Sequence, residues 1–139
     1  MVIDTSAVIA ILFDEPYARD IERAIEADPI RRISAATYLE SAIVAESRYG
    51  EAGGRELDLL AFKAGFEVVS VDAAQVEVAR AAYRRWGKGR DRAGLNFGDC
   101  FAYALAAITG EPLLFTGTDF GRTDVRVAER GGGDELYER

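Results

Sequence analysis

Four isolated carboxylates stand out in this chain, because they lie among apolar residues, three of them where a strand ends or a helix begins and one within a helix. They are Asp4, Glu40, Asp99 and Asp119. A buried carboxylate without a partner is costly, and several carboxylates brought together repel one another until they bind protons or a cation. Carboxylate oxygens favour hard ions such as Mg²⁺ or Mn²⁺ over zinc. The four residues therefore predict a divalent-metal site.

Each of these carboxylates taken alone also has a simpler structural explanation or only weak support. Asp4 is a suitable helix N-cap, and Asp99 lies at a helix start, where the helix dipole favours negative charge. Asp119 lies in a turn-like segment, where aspartate is common. Glu40 differs, because its neighbours three and four residues away on a helix include no basic residue. The metal-site prediction depends on all four together.

The composition excludes several other kinds of catalysis. The chain contains no histidine, which removes Ser-His-Asp and Cys-His catalysis and HExxH zinc sites. Its one cysteine, Cys100, cannot form an internal disulfide or a multi-cysteine zinc site and is expected to be a packing residue. Carboxylates remain as the main chemical resource.

Basic residues are concentrated in one segment, although the net charge of the chain is −7. Residues 80–92 contain six basic residues and one acid, a local charge of +5. Such a segment can attract phosphate. The candidate phosphate-binding side chains are Arg84, Arg85, Lys88, Arg90 and Arg92. The alternative is that Arg80 and Arg84 only decorate a solvated helix face.

Strand-like and helical segments alternate along the chain, which is typical of a mainly parallel sheet with helices on both faces. The predicted strands are residues 1–4, 30–34, 68–71 and 113–115. The predicted helices are residues 7–13, a second one ending near 27, then 35–49, 55–64, 73–86 and 99–109. Ligands of such sheets bind beyond the carboxyl ends of the strands. Asp4 and Asp119 follow the first and last predicted strands, so we expect them at the same edge.

The length of 139 residues, 49% of them hydrophobic, predicts one domain, which we place at residues 1–128. Residues 129–139 contain three glycines and mixed charges and are predicted to be a flexible C-terminal tail. No apolar run approaches the ~20 residues needed to cross a bilayer, and the chain begins without a basic leader. We therefore expect a cytoplasmic protein with no membrane association.

Four segments of the chain give a more specific signal in combination: MVIDTSAVIA, SAATYLESAIV, GLNFGDCFAYALA and LLFTGTDF, in that order. Together they resemble the VapC toxin family of PIN-domain proteins. The resemblance implies an α/β fold, a PIN-like three-layer sandwich with a mainly parallel central sheet flanked by helices. It also implies that the four carboxylates are catalytic and bind Mg²⁺ or Mn²⁺, with Ser6 and Thr116 as supporting hydroxyls. Many members carry a further acid just before the last one, where this chain has Gly117 and Thr118.

The resemblance further implies a function. The chain is predicted to be the toxin of a VapBC-type toxin-antitoxin system, an endoribonuclease that leaves 5′-phosphate and 3′-hydroxyl ends. A carboxylate-held metal suits this reaction, because it can activate water for attack on a phosphodiester. The basic segment would contact the RNA backbone near Asp99. Both tRNA and rRNA remain open as substrates.

Two protein partners follow from the same resemblance. One is a VapB-type antitoxin, whose C-terminal segment lies across the toxin groove and whose N-terminal part binds operator DNA. The other is a second copy of the chain, since we expect a homodimer. Apolar residues of the early helices are candidates for either contact, although core packing is the favoured interpretation. They are Ile9, Leu12, Phe13, Tyr17 and Ile21.

Two alternatives remain open at this point. One is a catalytically inactive PIN-like module that only binds RNA or a partner. The other is a receiver-type phosphoacceptor domain, with Asp72 after the third predicted strand as the acceptor. A receiver needs a lysine after its last strand, and Lys63 and Lys88, the two lysines of this chain, lie elsewhere.

Overall fold

A four-stranded parallel sheet forms the centre of the fold. The computed structural model describes residues 1–129. In this part of the chain the strands are β1 (Val2–Ile3), β2 (Arg32–Ser34), β3 (Glu67–Val69) and β4 (Leu113–Leu114), arranged in the order β3-β2-β1-β4. The chain moves outward from β1 through β2 to β3 and then returns to the other side of β1 for β4. Parallel α/β sheets bind ligands where the strand order reverses in this way, here between β1 and β4.

Helices cover both faces of the sheet. Within residues 1–129 they are α1 (Thr5–Leu12), α2 (Ala18–Ala27), α3 (Ala35–Tyr49), α4 (Glu51–Ala64), α5 (Ala73–Trp86) and α6 (Phe97–Thr109), followed by a 3-10 helix at Phe120–Arg122. Neighbouring strand residues face opposite sides. Val2 therefore packs with α5 and α6, whereas Ile3 packs with α1, α2 and α4. The predicted three-layer α/β class is confirmed.

Helix α4 begins at Glu51, although the prediction placed Gly53 and Gly54 ahead of a helix that starts at residue 55. Gly53 lies inside α4, where a Cβ atom would be 2.3 Å from the carbonyl oxygen of Ala45 in α3. The two helices pack so closely that only glycine fits at this position. The turn between them is at Gly50, whose φ of +65° favours glycine.

Local capping explains the other differences in element boundaries. The first helix begins at Thr5 because Asp4 caps it, and α6 begins at Phe97 because Asn96 forms a capping box with Asp99. The third strand is Glu67–Val69, slightly earlier than predicted. The helices predicted at residues 35–49 and 73–86 have these bounds in the structure.

The predicted flexible tail, apart from its first residue, lies outside the described residues. The domain boundary at residue 128 therefore stays a prediction. Across residues 1–129, every helix is too short or too polar to cross a membrane.

Candidate active site

Asp4 lies at the carboxyl end of β1 and is only 3% exposed. Its Oδ2 atom accepts hydrogen bonds from the Ser6 backbone N–H at 3.0 Å and from the Ser6 hydroxyl at 2.7 Å. Burial raises the pKa of Asp4 to about 6, the Ser6 hydrogen bonds act to lower it, and the negative charge of Glu40 raises it. Asp4 is therefore both the N-cap of α1 and a carboxylate that resists ionisation.

Ser6 joins the two connections that border this edge of the sheet. Its hydroxyl donates to Asp4 and accepts a hydrogen bond from the Thr116 backbone N–H at 3.0 Å. Thr116 follows β4, so Ser6 ties the start of α1 to the loop after β4. Ser6 and Thr116 were predicted as supporting hydroxyls; the structure places Ser6 against Asp4 and Thr116 against Ser6. The Thr116 group that takes part in this link is its backbone N–H.

Glu40 reaches the same region from α3. Its Oε1 atom accepts a hydrogen bond from the hydroxyl of Thr5, the first residue of α1. Gly98 of α6 lies against the same carboxylate, since a Cβ atom there would be 1.9 Å from Glu40 Oε2. The sequence did not single out Thr5 or Gly98, because their importance depends on a contact with a residue far away in the chain.

Asp99 is the third residue of α6 and the centre of the acidic cluster. Asn96 Oδ1 accepts from the Asp99 backbone N–H at 2.9 Å, and Asp99 Oδ2 accepts from the Asn96 backbone N–H at 3.0 Å. Burial raises the pKa of Asp99 to about 7, and the negative charges of Asp4, Asp119 and Glu40 act in the same direction. Asp99 therefore interacts electrostatically with all three other carboxylates.

Asp119 is the most exposed member of the cluster. It lies immediately before the 3-10 helix and makes no side-chain cap to it. The structure therefore brings together all four carboxylates that the sequence predicted, with Asp119 on the solvent side.

The chemistry of this cluster fits a hard cation. Every donor is a carboxylate oxygen, and a cation would relieve the repulsion that raises the pKa of Asp99. Within residues 1–129, no three carboxylate or cysteine side chains are already close enough to form a metal cage. The residues thus supply the right ligand type and charge, without a preformed coordination shell.

The five predicted phosphate-binding residues are all exposed, at the end of α5 and in the loop after it. This loop contacts the Asp119 segment, because the Arg122 guanidinium of the 3-10 helix donates to the Arg92 carbonyl oxygen at 2.7 Å. Trp86, the last residue of α5, is buried against Tyr103, with ring centres 5.5 Å apart. It is therefore a packing residue.

The apolar residues of the early helices contribute mainly to the core. Ile21 is fully buried, and Leu12 packs against the same cluster. The Phe13 ring stands edge-on to Tyr49, with ring centres 5.5 Å apart. Core packing, the favoured interpretation, therefore holds for Ile21 and Leu12, whereas Phe13 lies outside both core clusters and packs on the half-exposed Tyr49.

Asp72 is the N-cap of α5 and accepts a hydrogen bond from the Gln75 backbone N–H at 2.9 Å. Its structural role is therefore already explained. Asp72 is also not among the carboxylates that raise the pKa of Asp4 or Asp99. The receiver-type alternative is therefore left without a phosphoacceptor residue.

The fold and the acidic cluster define a class of protein that sequence comparison identifies directly. Residues 1–126 match the PIN domain family, so the chain is a PIN-domain protein. The chain is 62% identical over 125 residues to Ribonuclease VapC from Mycolicibacterium smegmatis. The alignment covers 90% of this chain and 97% of that protein. Within the PIN-domain proteins, this chain therefore belongs to the VapC ribonuclease family.

Solved structures with low sequence identity share the same fold. VapC20 from Mycobacterium tuberculosis, described as a sarcin-ricin loop cleaving toxin, has a TM-score of 0.76 at 18% identity and covers 93% of this chain and 98% of its own. VapBC2 from Rickettsia felis, bound to a DNA fragment from its promoter, has a TM-score of 0.69 at 16% identity, with 92% and 96% coverage. These similarities confirm the α/β architecture.

Proposed function

We propose that this VapC-family ribonuclease is the toxin of a VapBC-type toxin-antitoxin system and an endoribonuclease that depends on Mg²⁺ or Mn²⁺. The observation that carries the proposal is the convergence of four carboxylates beside the strand reversal, where burial raises the pKa of Asp99 and the charges of the other three carboxylates raise it further. The metal ligands and catalytic residues would be Asp4, Glu40, Asp99 and Asp119. When bound, the ion supplies an activated water and neutralises the charge that develops on the phosphate.

Hydroxyl groups and one backbone N–H already orient most of this site. Three pairs do so: Ser6 with Asp4, Thr5 with Glu40, and Asn96 with Asp99. Because each carboxylate is held by a hydrogen bond in advance, less ordering is needed when ion and substrate arrive. Asp119 has no such cap and lies on the exposed side, where it can face incoming RNA.

We assign RNA-backbone contact to the basic segment that precedes α6. Its candidate residues are Arg84, Arg85, Lys88, Arg90 and Arg92. They are exposed, and the contact between Arg92 and Arg122 keeps their loop beside the Asp119 segment. Phosphate contacts of this kind add affinity without base specificity. Both tRNA and rRNA therefore remain open as substrate classes.

The proposed protein partner is a VapB-type antitoxin. The solved VapBC2 pair from Rickettsia felis, which shares the fold of this chain, supports this proposal. Coexpression with its VapB-type antitoxin should yield a stable complex that no longer cleaves RNA. We also propose a homodimer, which analytical ultracentrifugation of the toxin alone would test.

The proposal predicts that cleavage requires both the metal and the carboxylates. Total RNA is incubated with purified protein and Mg²⁺ or Mn²⁺, beside Asp4→Asn and Asp99→Asn. Glu77→Gln, which removes an exposed carboxylate of α5, is the matched control. We expect a loss of at least about 100-fold in the two site variants and in EDTA, as is typical when electrostatic stabilisation is removed. Equal cleavage of RNA by wild type and all variants would overturn the proposal. If the wild-type protein binds RNA but does not cleave it with either metal, an inactive PIN-like module would be favoured.

A further inference from the structure

A groove between α5 and α6 is lined by Arg84 and Arg90, two of the residues to which RNA-backbone contact is assigned above, and by aromatic residues that this assignment does not use. Its volume is about 870 Å³. The lining residues used here are Arg80, Tyr83, Arg84, Arg90, Phe97 and Phe101. Phe97 and Asp99 both lie in the first turn of α6, so one end of the groove is at the same end of this helix as the proposed active site.

Phe97 is the most unusual residue of this groove, because 78% of its surface is exposed. Its ring stands edge-on to Phe101, with ring centres 4.9 Å apart and an interplanar angle of 86°. The ring is thus held in a defined orientation while most of it faces solvent. A large exposed aromatic residue contributes little to the core, and such residues often mark binding surfaces.

The charge of the groove is opposite to that of the whole protein. Three arginines and no acidic residue line it within the described part of the chain, although the net charge is −7. The Arg90 guanidinium also lies 5.8 Å from the centre of the Tyr83 ring. This combination of cations and aromatic rings suits a ligand that has both phosphates and flat bases.

We infer that this groove binds a single-stranded stretch of RNA that flanks the cleaved bond, with a base stacked on Phe97 and phosphates near Arg80, Arg84 and Arg90. Single-stranded nucleic acids are recognised by aromatic stacking platforms beside positive charge. An acidic peptide would pair with the arginines but would not need the exposed Phe97 ring. The inference rests on the proposed function and adds a subsite for the substrate.

A fluorescence experiment tests this binding independently of cleavage. Phe97→Trp places an exposed indole in the groove, and Phe62→Trp places one on α4, on the other face of the sheet, where Phe62 is 84% exposed. The native Trp86 is buried and common to both proteins. Each variant is titrated in EDTA with a ten-nucleotide single-stranded RNA. We expect saturable quenching for Phe97→Trp and none for Phe62→Trp.

Truncation of the ring gives a second measurement. Phe97→Ala should weaken RNA binding by roughly tenfold, the effect of losing one base stack. It should raise KM more than it lowers kcat, and Phe97→Tyr should restore both values. Phe62→Ala serves as the control and should behave as wild type.

The possible failures are distinguishable. Equal RNA affinity for Phe97→Ala and Phe62→Ala would overturn the subsite. A change in the sedimentation of Phe97→Ala without a change in RNA affinity would also overturn it and identify the groove as an interface between copies of the chain. If wild type fails to cleave RNA with metal while the quenching in EDTA persists, the proposed function fails and the RNA subsite stands.

Discussion

A Cβ atom at Gly98 would lie 1.9 Å from the Oε2 atom of Glu40. The carboxylate from α3 thus occupies space that only a glycine in α6 leaves open. Gly98 lies in the first turn of that helix, where alanine is usually favoured over glycine by up to about 1 kcal/mol. We interpret Gly98 as a positioning residue for Glu40.

We therefore predict that Gly98→Ala reduces RNA cleavage at least tenfold without loss of stability. The added methyl group would push away the end of the Glu40 side chain, which is flexible, while the backbone could stay in place. Cleavage rates and thermal melting of the variant measure the two effects. Gly121→Ala is the control, because no atom lies within 4 Å of its added Cβ. Wild-type cleavage by Gly98→Ala would contradict this role.

Ser6→Ala should both destabilise the protein and impair cleavage. The substitution removes the hydroxyl that links Asp4 to the Thr116 backbone. Loss of two hydrogen bonds at about 1 kcal/mol each predicts a decrease of about 1–3 kcal/mol in the free energy of unfolding. Urea denaturation and cleavage assays measure the outcome.

A matched control for Ser6 is Ser47→Ala. The Ser47 hydroxyl is exposed and bonds only to the Ile43 carbonyl one turn earlier in α3. Its removal should leave stability and cleavage nearly unchanged. If the two variants behave alike, Ser6 does not hold the site together.

The metal-free protein should become less stable as the pH rises from about 4 to about 7. The pKa of Asp99 is about 7 in the folded protein, against an ordinary value of 3.8 that applies to the unfolded chain. The folded state therefore binds more protons than the unfolded state in this pH range. Asp99→Asn cannot ionise and should be more stable than wild type at pH 8 in EDTA. This difference should shrink toward pH 4. Denaturation at several pH values measures it, and a variant that is less stable by the same amount at every pH would refute the coupling.

Adjacent glycines in α4 should respond in opposite ways to alanine. A Cβ atom at Gly53 would meet the Ala45 backbone oxygen at 2.3 Å, so Gly53→Ala should cost about 1–3 kcal/mol of stability. A Cβ atom at Gly54 would meet only the carboxylate end of Glu46, at 2.6 Å, which can move aside. Gly54→Ala should therefore be neutral or stabilise by up to about 1 kcal/mol. Equal melting temperatures would show that α3 and α4 can separate without cost.

Charge reversal in the basic segment should weaken RNA binding. The double variant Arg85→Glu with Lys88→Glu removes two candidate phosphate contacts, so the salt dependence of binding should also become less steep. Arg55→Glu with Lys63→Glu makes the same change in net charge on exposed positions of α4. Binding is measured across a salt titration. An equal loss in both double variants would indicate a nonspecific charge effect.

Local features of the sequence were sufficient for much of the fold. Residues 35–49 and 73–86 form the predicted helices because apolar periodicity, the Asp72 cap and the terminating Gly50 all act within a few residues. The predicted start of α4 was wrong, because Gly53 lies inside the helix, where it packs closely on the backbone of Ala45. That contact joins two helices and leaves no local pattern.

The sequence by itself determined which chemistry is available, since it contains no histidine and places three carboxylates at the ends of predicted elements and Glu40 within a predicted helix. Only the tertiary structure decided that Asp4 is buried, that Thr5 and Gly98 position Glu40, and that burial and the other three carboxylates raise the pKa of Asp99. The physical reason is distance. Helix caps and periodicity depend on neighbours in the chain, whereas burial and electrostatic repulsion depend on residues that only folding brings together.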